Sequence, residues 1–302
     1  MRIESFFDER TFTLSFVVYD ERTRDAVIID PVLDYEPRSS CIATESADAL
    51  IHFVRENDLT LHYVLETHAH ADHLSGAQRV RDAFPSAKVA IGEQITKVQR
   101  MFQHILALPA DFPTDGSQFD VLLKSNHAYD AGSLHFDVLP TPGHTPACTT
   151  LRFGENVFTG DALFHPDVGT GRCDFPGGSA NDLYHSVTAV LYALPDDTLV
   201  WPGHDYPPAG RGVRTHAPLS EHKSSNVALP ASRSMDDFIA WRNARDKSLA
   251  APQLLFQSIQ VNVDAGNLPA PDPTNNTRYL RIPLNVFRPK PAQEHEVELV
   301  DV

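Results

Sequence analysis

The chain has 302 residues, of which 42% are hydrophobic and 22% are charged, the proportions of an ordinary soluble globular protein. Forty Asp and Glu against 25 Lys and Arg give a formal net charge of −15, and the basic residues do not cluster, which argues against a nucleic-acid or acidic-membrane partner. No apolar run approaches the roughly 20 residues of a membrane span. We therefore expect one compact, soluble folding unit.

The cysteine content and the N-terminal sequence predict the cellular compartment. The three cysteines, Cys41, Cys148 and Cys173, are an odd number without CxxC spacing, and MRIESFFDERTF lacks the basic and then apolar layout of a secretory signal. We therefore expect a reducing cytoplasm, in which a buried Cys173 would stay an inert thiol.

The first third of the chain predicts strands that lead into a polar cluster. RTFTLSFVVYD and AVIIDPV are rich in β-branched and aromatic residues and predict a hairpin, whereas LDYEPRSSCIATES predicts a polar loop. Helical spacing in ADALIHFVREND predicts a helix with Ser46 as its N-cap. An apolar strand, LHYVLE, then runs into THAHADH, and LSGAQRVRDAF has the periodicity of a further helix.

The chain continues to Tyr206 in the same alternating way. The expected order is one strand, one helix, three strands, one helix and one strand, in KVAIGE, ITKVQRMFQHILAL, SLHFDVLPTPGH, CTTLRFG, NVFTGDAL, NDLYHSVTAVLYAL and TLVWPGHDY. Two successive sets of strands and helices predict two sheets face to face with helices outside, which is a layered α/β sandwich.

Residues 207–302 differ in pattern from residues 1–206. SMDDFIAWRNARDKSL predicts a short amphipathic helix, and APQLLFQSIQVNVDAGN predicts a helix or an irregular segment. We interpret 207–302 as a C-terminal extension packed on the same domain, with a mobile acidic tail in RPKPAQEHEVELVDV. Such an appendage often serves dimerisation, so a homodimer is among the expectations.

The segment THAHADHLSG places three histidines and an aspartate, His68, His70, Asp72 and His73, within six positions at a strand end. Burying this set for packing alone would cost desolvation with little return, so a metal site is the better interpretation. His68 and His70 alternate by two and would point to one side of a continued strand. Asp72 could also act as an N-cap for the following helix, and the two roles are compatible.

Three further ligand types follow apolar strands and lie beside a glycine, namely His144 in PTPGHTP, Asp161 in FTGDAL and His204 in WPGHDY. Each alone is more often a core or surface histidine, or a turn aspartate, than a ligand. Strand ends beside small residues can nevertheless converge on a concave site. Imidazole and carboxylate without thiolate suit Zn, Fe, Mn or Ni, and two His with one carboxylate is the set that non-heme Fe(II) oxygenases use.

Taken together, THAHADH, PGHT, TGDAL and GHDY in this order resemble the signature of the metallo-β-lactamase fold superfamily, over roughly Phe12 to Tyr206. The resemblance implies a four-layer αββα sandwich that binds metal and a catalytic domain in residues 1–206. It does not fix the reaction, because this fold hosts hydrolases, nucleases and oxidoreductases. The ligand motifs are intact, which argues against a non-catalytic scaffold.

The residues around the ligands indicate which branches of the superfamily the sequence resembles. Zinc β-lactamases usually carry Cys where this chain has Asp161, and nuclease branches have basic grooves that this acidic chain lacks. Two glutathione-linked branches remain, glyoxalase II (hydroxyacylglutathione hydrolase) with two metals and persulfide dioxygenase (sulfur dioxygenase) with one iron. TGDALFHPDVGTGRCDF and LYHSVTAVLYALPDDTLVWPGHDY are similar to the dioxygenase branch, and glyoxalases more typically have Glu after the final His.

Membership of the dioxygenase branch would make His68, His144 and Asp161 the ligands of one Fe(II) per chain. The other ligand types would orient these three or form a second metal site: His70, Asp72, His73 and His204. The resemblance implies that glutathione persulfide reacts with O2 and water to give sulfite and glutathione, as in sulfide detoxification. The alternative is a hydrolase of the glyoxalase II type, in which all seven ligands hold two Zn.

Substrate recognition is expected from cations, because glutathione carries two carboxylates. Arg172 lies in a segment similar to the dioxygenases and is the first choice, Arg214 and Arg211 are weaker choices, and Tyr206 could hydrogen-bond the substrate. A structural pair between Arg172 and Asp174 is an equal alternative.

Overall fold

The computed structural model of the protein describes residues 1–284 and 286. The acidic stretch at residues 288–302, which we expected to be mobile, lies outside the described residues. Within the described part of the chain, no helix is both long and apolar enough to cross a membrane.

Strands and helices are interspersed along the described part of the chain. The strands in chain order are β1 (Arg2–Asp8), β2 (Thr13–Tyr19), β3 (Asp25–Ile29), β4 (Val32–Glu36), β5 (Cys41–Ala43), β6 (Thr60–Glu66), β7 (Leu74–Ser75), β8 (Lys88–Gly92), β9 (Val121–Leu123), β10 (Ala128–Ala131), β11 (Leu134–Pro140), β12 (Thr149–Phe153), β13 (Asn156–Gly160), β14 (Leu199–Pro202) and β15 (Ala217–Pro218). The helices are α1 (Glu45–Glu56), α2 (Ala77–Ala83), α3 (Ile95–Ile105), α4 (Ala180–His185), α5 (Leu219–Ser225), α6 (Met235–Asp246) and α7 (Leu255–Asn262), with a π-helical segment at Ser186–Leu191.

Two six-stranded sheets form the centre of the molecule. The first has the order β1-β2-β3-β6-β8-β9, the second has the order β10-β11-β12-β13-β14-β15, and β5, β4 and β7 form a small third sheet. In the first sheet β3, β6, β8 and β9 run parallel. β3 and β8 are near-continuous runs of buried Ala, Val and Ile, because both faces of a parallel sheet are covered.

Three buried apolar clusters define the layers. One contains inward side chains of both large sheets, including Phe16, Phe136 and Phe158. A second joins the other face of the first sheet to α1, α2, α3 and α7, and a third joins the second sheet to α4, α5 and α6. Helix, sheet, sheet and helix layers therefore follow one another, which confirms the predicted αββα sandwich.

The interpretation of LDYEPRSSCIATES as a polar loop is wrong. β4 and β5 form a hairpin there, and β4 also pairs with β7 directly after the histidine cluster. Ser46 is not the N-cap of α1 either, because Thr44 occupies that position. The N–H and Oγ–H of Ser46 donate to Asp34 at 2.9 and 2.6 Å, so a carboxylate from β4 satisfies the first turn of the helix.

Several further elements were not predicted, namely β1, β7, β9, β10, β15 and α5. The helix expected over NDLYHSVTAVLYAL divides into α4 and the π-helical segment. The helix predicted in SMDDFIAWRNARDKSL is confirmed as α6, where the Ser234 hydroxyl accepts from the N–H of Asp237.

The region after residue 206 packs on both outer faces of the sandwich. α5 and α6 contribute Leu219 and Phe238 to the cluster on the second sheet. α7 contributes Leu255 and Ile259 to the cluster on the first sheet. This region therefore contacts both halves of the fold.

Candidate metal centre

The predicted ligands lie where strands of both sheets end. β6 leads into residues 67–73, β11 precedes His144, and the parallel neighbours β13 and β14 end next to Asp161 and His204. An isolated bridge between Thr13 and His204 joins the two sheets at this edge. The site is thus built outside the carboxyl ends of the strands, which is the usual place for ligands in open α/β sheets.

The first ligand group consists of His68, His144 and Asp161, whose ligand atoms lie within 4.8 Å of one another. Nδ1 of His68 lies 3.0 Å from Thr67 Oγ1, and that hydroxyl donates to Asp30 Oδ2 at 2.7 Å. Because the Thr67 proton goes to Asp30, its oxygen accepts from Nδ1–H of His68. The Nε2 lone pair of His68 is therefore free for a metal.

His144 and Asp161 complete the first ligand group. Nδ1 of His144 donates to the carbonyl of Arg172 at 2.7 Å, so the Nε2 lone pair is free and lies 3.6 Å from Asp161 Oδ2. Gly160 allows the close packing behind this group, since its φ is +49° and a Cβ there would lie 2.5 Å from Thr67 Oγ1.

The second ligand group consists of His70, Asp72, His73 and His204, whose ligand atoms also lie within 4.8 Å of one another. Nδ1 of His73 donates to the carbonyl of Leu74 at 3.1 Å, which leaves its Nε2 free. Nε2 of His204 lies 3.2 Å from Asp72 Oδ2 and 3.5 Å from Asp161 Oδ1. Asp161 therefore reaches toward both ligand groups.

Two buried carboxylates lie beside the ring of His70. Its Nε2 lies 3.0 Å from Asp30 Oδ1 and 3.6 Å from Glu66 Oε2, and Glu66 accepts a short hydrogen bond from Ser75 Oγ. Burial alone would lower the pKa of His70, but the charge of Asp30 raises it well above its usual value. Burial raises the pKa of the Glu66 carboxyl. Nε2 of this ring therefore faces two carboxylates.

The donor atoms of both groups fit a metal. Burial lowers the pKa of His68 well below its usual value and that of His73 to about 4, so both imidazoles are neutral near pH 7. Seven buried atoms of the ligand residues lack a hydrogen-bond partner within the described residues: His68 Nε2, His70 Nδ1, His70 Nε2, Asp72 Oδ2, His73 Nε2, Asp161 Oδ1 and His204 Nε2. Buried polar atoms are almost always paired, so this collection in one place indicates cation binding.

Two adjoining cavities open on the site. The smaller, of about 430 Å³, is lined by Asp72, His144 and Asp161 among other residues, and the larger has a volume of about 750 Å³. They share the following lining residues: Ala71, His144, Arg172, Leu249 and Pro252. A substrate of several residues' size could therefore extend from the ligands into the larger cavity.

Arg172, the first choice for carboxylate recognition, lines both cavities. Its guanidinium donates to Asp174 at 2.5 and 2.8 Å and to the carbonyl of Ala250 at 2.6 Å. The structure thus contains the pair with Asp174 that the sequence left open as an alternative. A role for Arg172 in substrate binding stays a prediction.

Tyr206 and Arg214 have different surroundings. Tyr206 lines the smaller cavity and stacks on His204, with ring centroids 5.4 Å apart. Arg214 is not among the residues that line these two cavities, and its guanidinium donates to Glu221 at 3.0 Å. Arg211, the other weak choice, is paired with Asp205 and Asp167. The substrate roles of these residues also stay predictions.

The geometry agrees with a known family. A family model described as the Metallo-beta-lactamase superfamily matches residues 9–204. The chain belongs to the metallo-beta-lactamase superfamily. The prediction from the four ordered motifs is therefore confirmed.

Individual superfamily relatives carry different names. A Dictyostelium discoideum protein named Glyoxylase B2 is 45% identical over 95% of this chain and 98% of its own length. Human mitochondrial persulfide dioxygenase ETHE1 is 29% identical over 87% of this chain and 88% of that protein. The crystal structure of ETHE1 from Myxococcus xanthus has a TM-score of 0.70 and 34% identity, over 88% of this chain and all of that one. The chain spans 65% of the length of bacterial relatives named beta-lactamase hydrolase-like protein.

Several residues around this superfamily site were not found by sequence reasoning. Asp30 follows β3 and Glu66 ends β6, so a polar residue at the end of an apolar strand was the available signal. Arg245 and Lys247 line the cavities from the end of α6, and Asn262 contacts the segment of residues 68–75, which includes β7 and is hereafter called the metal loop. No local pattern marks these three, because they meet the site through the tertiary fold.

Proposed function

We propose that the protein is an iron-dependent persulfide dioxygenase that oxidises glutathione persulfide, with O2 and water, to sulfite and glutathione. The observation that carries this proposal is the composition of the first ligand group, two imidazoles and one carboxylate with free donor atoms beside a cavity. His70 is not a member of this group, because the ligand-atom distances place it with Asp72, His73 and His204. A set of two His and one carboxylate is typical of non-heme Fe(II) oxygenases.

Iron(II) held by His68, His144 and Asp161 would supply the redox chemistry of O2, which Zn²⁺ lacks because it has no accessible redox change. In the overall reaction the terminal sulfur gains both atoms of O2 and one oxygen of water. Four electrons pass to O2, the bond between the two sulfurs breaks, and the thiol leaves with a proton. The persulfide anion, O2 and water thus give one thiol, one fully ionised sulfite and one proton.

The chain's own residues orient the reacting groups and shield them from water. Thr67 and the carbonyl of Arg172 fix which nitrogen of His68 and His144 faces the site. The cavity wall includes Phe164 and Leu249, whose apolar surface lowers the local dielectric constant around a persulfide anion. These contacts hold the ligand geometry before a substrate arrives.

The carboxylates of glutathione have two unpaired cations available. Arg172 and Arg242 line the cavities but are paired with Asp174 and Asp246. Arg245 lines the smaller cavity and Lys247 lines the larger, and within the described residues neither forms an ion pair with a carboxylate. We include Arg245 and Lys247 in the proposal as the recognition sites for the substrate's carboxylates.

The test measures O2 uptake by protein purified without added metal, together with its metal content. The proposal expects about one iron per chain and O2 consumption that requires glutathione persulfide and yields sulfite. Two zinc ions per chain with no persulfide-dependent O2 uptake would refute it. The same preparation without persulfide is the control for iron-catalysed side reactions.

A second proposed function is a binuclear zinc hydrolase that cleaves glutathione thioesters. The observation that favours it is the second ligand group, which offers four imidazole and carboxylate atoms within 4.8 Å. The relative named Glyoxylase B2 gives it further support. Thioester cleavage by the two-zinc protein, without O2 uptake, is the result that would favour this function over the dioxygenase.

A further inference from the structure

The helix α7 reaches the metal loop through one side chain, Asn262, which is 4% exposed. Its Oδ1 accepts from the N–H of Ser75 at 2.8 Å, and its Nδ2 donates to the carbonyls of His70 and His73, each at 2.8 Å. The amide oxygen and the amide nitrogen of this side chain thus form all three hydrogen bonds with the metal loop. Asn262 lies well beyond residue 204, where the family match ends.

The three bonds fix the main chain between two members of the second ligand group. His70 and His73 are separated by only Ala71 and Asp72, and the carbonyls on which Asn262 acts belong to the two histidines themselves. A buried carbonyl that loses its donor costs about 1–3 kcal/mol, so the peptide planes would turn toward other donors. The directions of the His70 and His73 side chains would turn with them.

The end of α7 is itself anchored to neighbouring helices. Gln78 of α2 donates to the carbonyl of Ala265 at 2.6 Å, and Gln99 of α3 donates to the carbonyl of Val263 at 2.9 Å. Asn262 therefore projects from an element that α2 and α3 also support.

A second route connects the same loop to the ring of His70. Ser75, whose N–H donates to Asn262, also uses its hydroxyl to hold Glu66, and Glu66 lies 3.6 Å from Nε2 of His70. Asn262, which bonds to the His70 carbonyl, and Glu66, which lies beside the His70 ring, thus both hydrogen-bond to Ser75. Networks of this kind orient metal ligands.

We propose that Asn262 is a positioning residue of the metal centre, through which the C-terminal region sets the geometry of His70 and His73. The inference concerns metal binding at the second ligand group, to which both histidines belong, and does not depend on the dioxygenase reaction. Partners that orient metal ligands typically contribute about 10- to 100-fold in metal affinity, and the same range is expected for Asn262.

The experiment compares the full-length protein with the variants Asn262→Ala and Asn262→Asp. Asn262→Asp is close to isosteric and keeps an acceptor for Ser75, but it places oxygen against the carbonyls of His70 and His73. Both variants are expected to bind Zn²⁺ about 10- to 100-fold more weakly in competition with a chromophoric chelator. The visible spectrum of the Co²⁺-loaded variants should also change, because it reports the geometry of the ligands.

Gln260→Ala is the matched control. Gln260 is a buried amide in the same helix, but it bonds to the carbonyls of Phe256 and Arg281 and to the N–H of Arg281. Its loss is expected to lower thermal stability while the Zn²⁺ affinity and the Co²⁺ spectrum stay those of the wild type.

Wild-type Zn²⁺ affinity and an unchanged Co²⁺ spectrum in the Asn262 variants would overturn the proposal. An equal loss of affinity in Gln260→Ala would also overturn it, because the effect would then reflect general destabilisation. Far-UV circular dichroism verifies folding, and if Asn262→Ala fails to fold, Asn262→Asp decides by the same two measurements.

Discussion

The two ligand groups lie next to each other but face different surroundings. In the first group, His144 and Asp161 line the smaller cavity, whereas Asp72 is the member of the second group that does so. The imidazoles of His70 and His73 are buried, with two carboxylates beside the His70 ring and the Leu74 carbonyl beside the His73 ring. A substrate that enters the cavity therefore meets the first group, and the chemistry is expected to belong there.

The largest effect is expected from Asp161→Ala. Asp161 reaches toward both groups, at 3.6 Å from His144 and 3.5 Å from His204, so its loss should abolish metal retention. Asp72→Ala removes a member of the second group only and should leave most of the iron in place. Metal content after gel filtration measures both variants.

Asp167→Ala is the control for this pair, because Asp167 lines the same cavity but is paired with Arg211 and belongs to neither ligand group. It should retain wild-type iron. Equal metal loss in Asp161→Ala and Asp72→Ala would argue for a coupled two-metal site and break the distinction between the groups.

Asp30 and Glu66, the two carboxylates beside the ligands, allow a further test of the difference between the two ligand groups. Asp30 supports both groups, because it accepts from the Thr67 hydroxyl that orients His68 and also faces His70, whereas Glu66 faces His70 alone. Asp30→Asn should weaken iron binding about 10- to 100-fold, and Glu66→Gln should change it much less. Chelator competition distinguishes them, and an equal effect would contradict the assignment of iron to the first group.

A smaller effect is expected at the substrate end of the cavity. Arg245→Ala should raise KM for glutathione persulfide about 3- to 10-fold with little change in kcat, since an exposed cation contributes modestly. The persulfide of a thiol without carboxylates should show no such change. Arg233→Ala is the control, because Arg233 also lies over the Trp241 ring but is not among the cavity-lining residues. A lower kcat in Arg245→Ala with unchanged KM would count against carboxylate recognition.

A buried histidine outside the ligand groups is expected to make the stability of the protein depend on pH. His222 in α5 is fully buried outside both groups, and burial lowers its pKa to about 3. Because the unfolded chain binds the proton more tightly, stability should fall as the pH drops from about 6.5 toward 3, by up to about 1.4 kcal/mol per pH unit. His222→Leu should reduce this slope.

Urea unfolding at pH 7 and pH 5 measures the slope for wild type and His222→Leu. Protonation of the metal ligands contributes to both proteins, so the difference between them reports His222. Identical slopes would mean that the acid sensitivity comes from the ligand groups themselves.

The sequence was most informative where chemistry and local pattern coincide. His68, His144 and Asp161 each follow an apolar strand, so strand prediction and residue type together placed them at one edge of the fold. The prediction of Ser46 as an N-cap was wrong because its N–H and hydroxyl both donate to Asp34. Asp34 lies in a hairpin where the sequence predicted a loop. Asn262 could not be predicted, since its role depends on contacts with residues 187 to 192 positions away.

The most direct test of the account is anomalous diffraction at the iron absorption edge from crystals of protein purified without added metal. The account predicts one iron peak per chain, coordinated by His68 Nε2, His144 Nε2 and Asp161, with the second ligand group free of iron. Two metal peaks of equal height, or a single peak at His70, Asp72, His73 and His204, would contradict it.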